Sequence, residues 1–422
     1  MARRRISTCD YDPFEFTLIY RGRKDTHTAW LSIIGVVIVA LLLLVTYVSG
    51  TLGTFQDFQL WTDIRRVLKI SNTSAATPEF PFMRDVTSWF LIFAIITGTL
   101  LLHRQWQYMA RCLSQLAGNG VLVHRPKRSS NLFSKLLGVD RMVAGVSQEE
   151  ALNRLVHRVV GALARRTSWL TLSLIIVSIV LAQLLALGEQ KDGLFQTLAP
   201  SGLAAAARTA WLDNAYGSWW AGTHHVFGYL LYQVLAVFAI FIVLSFQTAG
   251  ICAVYVMVAM HFIVEPSADW LNRDGRYGWA PLAYVYRTVV WSNASLGATL
   301  TVILVALGLG NYGWVLGLVV LYIIVIPISI IVPWITFRRV ERNAKKLRIA
   351  EIEAAITSHG IDEESDIALM APYVLEIDRC QAVRIRPLRL GTASFSTYVL
   401  LAVLPILLTV AQILFPLKFN GK

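Results

Sequence analysis

The stretch VFGYLLYQVLAVFAIFIVLSFQTAGICAVYVMVAMHFIV, residues Val226–Val264, has 39 residues and contains no Asp, Glu, Lys or Arg. As a single helix it would be about 58 Å long, whereas the hydrocarbon core of a bilayer is about 30 Å thick. The segment therefore either crosses once and extends beyond the hydrocarbon, or crosses twice as a tight hairpin. A charge-free run of this length indicates burial in a membrane, because hydrocarbon solvates neither charges nor unpaired peptide groups.

The composition of the whole chain agrees with a membrane protein. Of its 422 residues, 56% are hydrophobic and only 15% are charged, well below the roughly 25% charged residues of a typical soluble domain. The net charge of +12 could indicate a nucleic-acid partner. The basic residues cluster between apolar segments, however, which is the pattern that orients a membrane protein. We therefore expect no nucleic-acid binding.

Other apolar runs have ordinary spanning lengths, and together with the quoted stretch they predict an all-α integral membrane protein with about seven transmembrane helices. The seven segments are Ala29–Val48, Val86–Leu102, Thr167–Leu187, Val226–Val264, Val289–Leu309, Tyr312–Phe337 and Thr392–Phe415. The first is too long for the apolar region of a cleaved signal peptide and is interpreted as a retained signal anchor.

The distribution of basic residues predicts the orientation and favours a single fourth crossing. With one crossing, the segments 1–28, 103–166, 265–288 and 338–391 lie on the same side and carry 30 of the 38 Lys and Arg residues. A double crossing would move 338–391, with its ten basic residues, to the opposite side. The positive-inside rule opposes that arrangement. We expect a cytoplasmic N-terminus and an external C-terminus in a plasma membrane or bacterial inner membrane.

This topology divides the chain into six parts. They are a cytoplasmic N-terminal segment (1–28), two crossings with an external loop (29–102), a basic helical cytoplasmic loop (103–166), four crossings including the long one (167–337), a cytoplasmic helical hairpin (338–391), and a last crossing with a short external tail (392–422). Within the cytoplasmic loop, Ser147-Gln-Glu-Glu150 matches a capping box and predicts a helix start there.

Basic residues in the cytoplasmic loop predict contact with lipid. Arg125, Lys127 and Arg128 form a compact cluster within reach of anionic headgroups, where each basic residue gains about 1 kcal/mol. We therefore predict membrane lipids with anionic headgroups as partners of these three residues.

A stripe of polar residues marks the fourth segment. Gln233, Gln247 and His261 are spaced fourteen residues apart, so they lie on one slowly winding face of a helix. One hypothesis is that the stripe lines a water-filled path. The alternative, favoured by base rates, is that these side chains form hydrogen bonds to neighbouring helices.

Small and aromatic residues suggest further contacts. Gly313 and Gly317 form a Gly-x-x-x-Gly pair that allows close helix approach, either by the fifth crossing or by another subunit. Trp211, Tyr216, Trp219 and Trp220 precede the fourth crossing, and aromatic residues at crossing ends usually mark the membrane interface. We expect these four at the interface rather than in a ligand site.

The sequence offers little catalytic chemistry. No crossing has a charged residue near its middle, which argues against a proton-coupled carrier. His224 and His225 with Asp213 lack a third histidine nearby, so a metal site is not expected. The loop from Glu265 to Asp274 could hold Mg²⁺ against a lipid phosphate, but a solvated turn explains it better. We predict no catalytic residues, no metal and no cofactor.

Three functions remain open at this point. The first is a homo-oligomeric channel or permeability effector that is controlled through the basic cytoplasmic region. The second is a non-conducting membrane sensor or scaffold that acts with a cytosolic protein partner. The third is a lipid-directed enzyme that uses the Glu265–Asp274 loop. The long fourth segment and its polar stripe favour the channel slightly over the scaffold, and the enzyme is the weakest of the three.

Overall fold

The structure is a computed structural model, and it describes residues 27–59, 62–63, 78–124, 134–135, 138–164, 169–192, 194–200, 203–306, 313–359, 367–385, 403 and 407. These residues are mostly helical, with almost no sheet. The helices are α1 (His27–Val48), α2 (Val86–Gly118), α3 (Val139–Val143), α4 (Gln148–Ala164), α5 (Trp169–Asp192), α6 (Leu194–Leu198), α7 (Ala205–Ser218), α8 (Val226–Ile263), α9 (Ala280–Ala306), α10 (Gly313–Ser358) and α11 (Ile367–Ala382). Two short strands, β1 (Leu122–Val123) and β2 (Glu265–Pro266), pair antiparallel. Short 3₁₀ turns occur at Phe55–Asp57 and Phe82–Arg84.

Three of the described helices are long and apolar enough to cross a membrane: α2, α8 and α10 from Tyr322 onward. Large apolar side chains point outward on these helices, as shown by Phe93, Leu230 and Ile324, which are all more than half exposed. An exposed apolar surface of this kind suits lipid and not water. The fold is therefore consistent with an integral membrane protein.

The quoted stretch forms one continuous helix, α8, of 38 residues. No turn interrupts it, so the tight-hairpin alternative is wrong. Long branched and aromatic side chains without a Pro or a charged residue give the chain no reason to break, and α8 ends where Val264 takes an extended conformation. The helix α10 is also continuous over 46 residues, although Pro327 and Pro333 lie inside it.

The helix α8 is the centre of the bundle. It contacts α1, α2, α3, α4, α5, α9 and α10. Small side chains permit this crowding, since Ala236, Ala239 and Ala253 are all buried against neighbouring helices. Close approach of this kind increases the number of van der Waals contacts.

Two hydrophobic cores form at opposite ends of α8. The N-terminal core joins Leu235 and Ile242 to residues from α1, α2 and α5 and to Phe80 and Trp220. The C-terminal core joins Met260 to Trp279, Phe337 and other residues of α2, α4, α9 and α10. A small cluster of Leu102, Val159, Phe246 and Ala249 lies between them.

The end of α2 is fastened to the loop between α8 and α9. The backbone amide of Ser267 donates to the Val121 carbonyl at 2.8 Å, beside the β1–β2 pair. The Asn119 side-chain amide donates to the Gly278 carbonyl at 2.9 Å. These contacts hold the C-terminal ends of α2 and α8 at a fixed distance.

Other local predictions can be compared with this architecture. Helix α4 begins directly after Ser147, whose Oγ accepts from the Glu150 amide at 3.2 Å, as the capping motif predicted. The first, third and fifth apolar segments overlap α1, α5 and α9. The seventh segment lies outside the described residues, apart from Val403 and Leu407.

Candidate functional site

The polar stripe on α8 does not converge on one place. The Nε2 of Gln183, on α5, donates to Oε1 of Gln233 at 3.2 Å. The Nε2 of Gln247 donates to the carbonyl and to Oγ of Ser292, on α9, at 3.2 and 2.9 Å. The two glutamines therefore connect α8 to two different helices.

The third member of the stripe bonds within its own helix. The Nδ1 of His261 lies 2.8 Å from the carbonyl oxygen of Met257, one turn earlier. In the tautomer that carries its proton on Nδ1, His261 donates to this carbonyl. Two of the three residues thus form the interhelical hydrogen bonds of the packing alternative. A shared water-filled face would instead leave their amides turned toward a common path.

A buried polar layer near the middle of the bundle was not found by sequence reasoning. On α9, Nδ2 of Asn293 donates to Oγ of Ser329 on α10 at 2.5 Å, and both side chains are buried. Gln105 on α2 is fully buried, and its two amide atoms have no hydrogen-bond partner among the described residues. The signal was available, because Gln105, Met109, Cys112 and Leu116 repeat at helical spacing, but the neighbouring Arg104 suggested a solvated loop.

An aromatic cap closes the N-terminal core, and we use this name for Phe80, Phe82, Trp211, Trp219 and Trp220 together with Asp85 beneath them. All of these side chains are buried. The carboxylate of Asp85 accepts from Nε1 of Trp219 at 3.1 Å and from Nε1 of Trp220 at 2.7 Å. The predicted interfacial position is therefore wrong for Trp211, Trp219 and Trp220, since a belt residue would face lipid headgroups.

Asp85 is also the N-cap of α2. It accepts from the backbone amides of Thr87 and Ser88 and from Oγ of Ser88 at 3.0, 3.3 and 2.8 Å. The preceding residue, Arg84, forms a buried ion pair with Asp63 at 3.2 Å. A capping carboxylate at a helix N-terminus stabilises the free amides and the helix dipole. Asp85 therefore makes the aromatic cap a structural anchor at the start of α2.

The C-terminal part of α10 packs against α11 through ionic contacts. Arg348 pairs with Glu376 across the two helices. Lys345 bonds Glu341 at 3.1 Å within α10 and donates to the Gln381 carbonyl at 2.8 Å. Cys380 is buried in this contact, and burial raises the pKa of its thiol. The two helices form a packed pair.

A second face of α10 carries a stripe of exposed basic residues. Arg338, Arg342 and Lys346 follow at intervals of four residues and are exposed, so they lie on one side of the helix. Arg338 also stacks over the Trp334 ring at 4.2 Å. This stripe lies about 100° around the helix from the residues that face α11.

The basic cluster Arg125, Lys127 and Arg128 lies outside the described residues. The next basic residues of that loop are described. Lys135, Arg141 and Arg158 line a cavity of about 520 Å³ together with Gly138 and Asp140.

In the Glu265–Asp274 loop, the carboxylate of Asp274 accepts hydrogen bonds from backbone amides. Asp274 accepts from the backbone amides of Arg276, Gly278 and Ala280 at 2.8, 2.8 and 2.9 Å. A carboxylate with three N–H donors has little capacity left for a cation. In the described part of the chain, no group of three or more His, Cys, Asp or Glu residues is arranged to hold a metal. His224, which precedes α8, is exposed.

Close helix approach at the glycine pair on α10 stays a prediction, because residues 307–312, which precede Gly313, lie outside the described residues. Gly313 begins α10, and Gly317 is exposed, with no described atom within 4 Å of where a Cβ would lie. Helix α9 contacts α10 further along, at Asn293 and Ser329. In the described part of the molecule, the face at Gly317 is therefore open.

No family model, curated protein or solved structure matches this chain. Its function must be argued from its own geometry. The described residues form interhelical hydrogen bonds, a buried aromatic cap, an ion-paired helix hairpin and two basic surfaces. Basic side chains of this kind bind acidic or phosphorylated groups through charge-assisted hydrogen bonds.

Proposed function

We propose that this chain is a non-conducting multi-pass membrane protein that acts as a sensor or scaffold. Its membrane bundle holds the α10–α11 hairpin at the cytoplasmic surface, and the hairpin binds a cytosolic protein with an acidic face. The observation that carries the proposal is the continuity of α10, which runs without a break from an apolar span into the ion-paired hairpin.

The use of polar side chains inside the bundle supports a non-conducting protein. Gln233 and Gln247 are engaged with α5 and α9, and α8 contacts seven other described helices of the same chain. The two glutamines are therefore turned toward helices of the same chain and not toward a pore on an oligomer axis. The channel hypothesis stays a prediction, and the geometry favours the scaffold.

The rigidity of the hairpin supports a role in presenting a surface. The hydrogen bond from Lys345 to the Gln381 carbonyl and the ion pair of Arg348 with Glu376 restrict the motion of α11 relative to α10. Oε2 of Glu341 also accepts from the Ile385 amide at 3.1 Å. Partly buried charged hydrogen bonds of this kind contribute more than freely exposed ion pairs.

The basic stripe indicates the chemistry of the partner. Lys346 lies about 12 Å along the helix beyond Arg338. Under the proposed topology Arg338 stands at the headgroups, and Arg342 and Lys346 stand progressively further into the cytoplasm. Exposed cations beyond the headgroups attract an acidic protein surface by electrostatic steering.

The partner can be tested by site-specific photo-crosslinking in cells. A photoreactive amino acid at Asn343, which is exposed beside Arg342, is expected to crosslink an acidic cytosolic protein. Reversing the charge of Arg342 and Lys346 to Glu should reduce the crosslinked yield at least tenfold, because charges in contact then repel. Arg379→Glu, on the other helix of the hairpin, is the matched control and should leave the yield unchanged. A yield from Asn343 that survives the double reversal would exclude this surface.

The finer topology belongs to the same proposal. We propose seven crossings with the N-terminus in the cytoplasm and the C-terminus outside, supported by the 30 of 38 basic residues on one side. We also propose a homo-oligomer, supported by the exposed Gly317, which has no described atom within 4 Å of where a Cβ would lie and so allows close helix approach between subunits.

The topology is tested by cysteine labelling in a variant that lacks native cysteines. Cysteine at Ser358, at the end of α10, should react only after the membrane is permeabilised, whereas cysteine at Thr223, just before α8, should react in intact cells. Both positions are exposed, so access depends on the side of the membrane. Labelling of position 358 from outside would contradict the orientation.

A further inference from the structure

The cavity beside α4 combines cations with a position close to the proposed membrane surface. Among the described residues, its lining includes Lys135, Arg141 and Arg158 and one carboxylate, Asp140. A volume of about 520 Å³ lies within the range of about 300–1,000 Å³ that is typical of small-ligand sites. Three cations against one carboxylate favour an anionic occupant.

The helix α4 places Arg158 on the outer side of the bundle. Ala151, Leu155 and Val159 are buried, whereas Arg154 and Arg158 are exposed on a different face. The amphipathic pattern thus turns one side of α4 toward α8 and leaves the basic side free to meet a ligand.

The loop before α3 comes close to the Arg158 guanidinium. A Cβ at Gly138 would lie 2.9 Å from the Arg158 Nη1. Gly138 also has a φ of 68°, in the left-handed region that glycine tolerates. The backbone can therefore approach the guanidinium closely at the cavity wall.

The depth of the cavity relative to the bundle is given by its neighbour Val159. That side chain packs with Leu102, Phe246 and Ala249, and Leu102 is the last residue of its apolar segment, followed by the exposed Arg104. The Arg158 side chain thus lies where α2 changes from apolar to charged, which is the level of lipid phosphates in the proposed topology.

We propose that Lys135, Arg141 and Arg158 bind a phosphate group at the membrane surface. Arginine matches phosphate oxygens with two parallel N–H donors, and lysine adds a point charge. The phosphate belongs either to the headgroup of an anionic phospholipid or to a soluble phosphate. The site goes beyond the scaffold proposal and does not depend on it, because binding is measured without a protein partner.

The test uses the purified full-length protein and two probes. Phosphatidic acid is titrated into the detergent-solubilised protein and counted by native mass spectrometry, and inorganic phosphate is titrated by calorimetry at constant ionic strength. Arg158→Gln is expected to raise the dissociation constant about fivefold or more, since a basic residue near an anionic surface contributes about 1 kcal/mol. Arg158→Lys should retain most of the affinity.

A matched control lies one turn away on the same helix. Arg154 is equally exposed but pairs with Glu150 at 2.7 Å and does not line the cavity, so Arg154→Gln should change the affinity less than twofold. Binding of phosphatidic acid alone identifies a lipid site, and Arg158-dependent binding of inorganic phosphate identifies a soluble source. Absence of binding by both probes, or equal weakening by Arg154→Gln and Arg158→Gln, would overturn the proposal. If Arg158→Gln does not fold, Lys135→Gln and Arg141→Gln provide the same comparison.

Discussion

Asp85→Asn is expected to lower the free energy of unfolding by about 3 kcal/mol, because two buried indoles then lose their acceptor. Oδ2 of Asp85 accepts from Trp219, Trp220 and Ser88. If the asparagine side-chain oxygen keeps its bonds to the backbone amides of α2, the side-chain NH₂ group faces the indole N–H groups of Trp219 and Trp220. Donor then meets donor, and the two indole bonds are lost. Shape and volume are conserved, so the loss reports the hydrogen bonds and the charge.

This effect can be measured by SDS-induced or thermal unfolding of the purified protein, followed by tryptophan fluorescence. The matched control is Asp57→Asn, because Asp57 also accepts two local hydrogen bonds from Thr54 but does so at an exposed turn. We expect a change of about 0.5 kcal/mol there. Equal effects at the two positions would show that the aromatic cap is not a structural anchor.

Gly228→Ala is expected to destabilise the same region by about 3 kcal/mol, the upper end of the usual cost of overpacking. Gly228 lies in the first turn of α8, and a Cβ there would lie 2.0 Å from the backbone oxygen of Trp220. The clash is with backbone, so no side-chain rotation relieves it. Trp220 cannot retreat without breaking its bond to Asp85.

The control for Gly228 is Gly217→Ala in α7. No described atom lies within 4 Å of a Cβ at Gly217, so alanine should be neutral or stabilise the helix by up to about 1 kcal/mol. Because Asp85→Asn and Gly228→Ala both displace Trp220, the double variant should lose less than the two separate effects added together. Full additivity would contradict the shared role of Trp220.

What the sequence predicted well depends on local chemistry. The charge-free run from Val226 produced one helix because it contains no proline and no Asp, Glu, Lys or Arg, and Ser147 begins α4 because a capping hydroxyl acts within three residues. The charged extension of the sixth segment likewise continues as α10, since its residues past Arg338 favour helix. Each of these features can be judged from a few neighbouring residues.

What the sequence did not predict depends on distant partners. Trp219 and Trp220 have the composition of an interfacial belt, and their acceptor Asp85 is more than 130 residues away in the chain. Gln105 lies in the segment 103–166, which the sequence assigns to a basic cytoplasmic loop, although tertiary packing buries it completely. Residue type alone does not distinguish these environments.

The measurement that tests the central claim most directly is current recording from the purified protein in planar lipid bilayers. The claim is that the bundle uses its polar side chains to join helices and conducts nothing. We expect no current above that of protein-free bilayers, across voltages and at pH values on both sides of the ordinary histidine pKa near 6.5. Discrete current steps that appear only with the protein, and that disappear in Gln247→Leu, would contradict the scaffold proposal and establish a conducting path along α8.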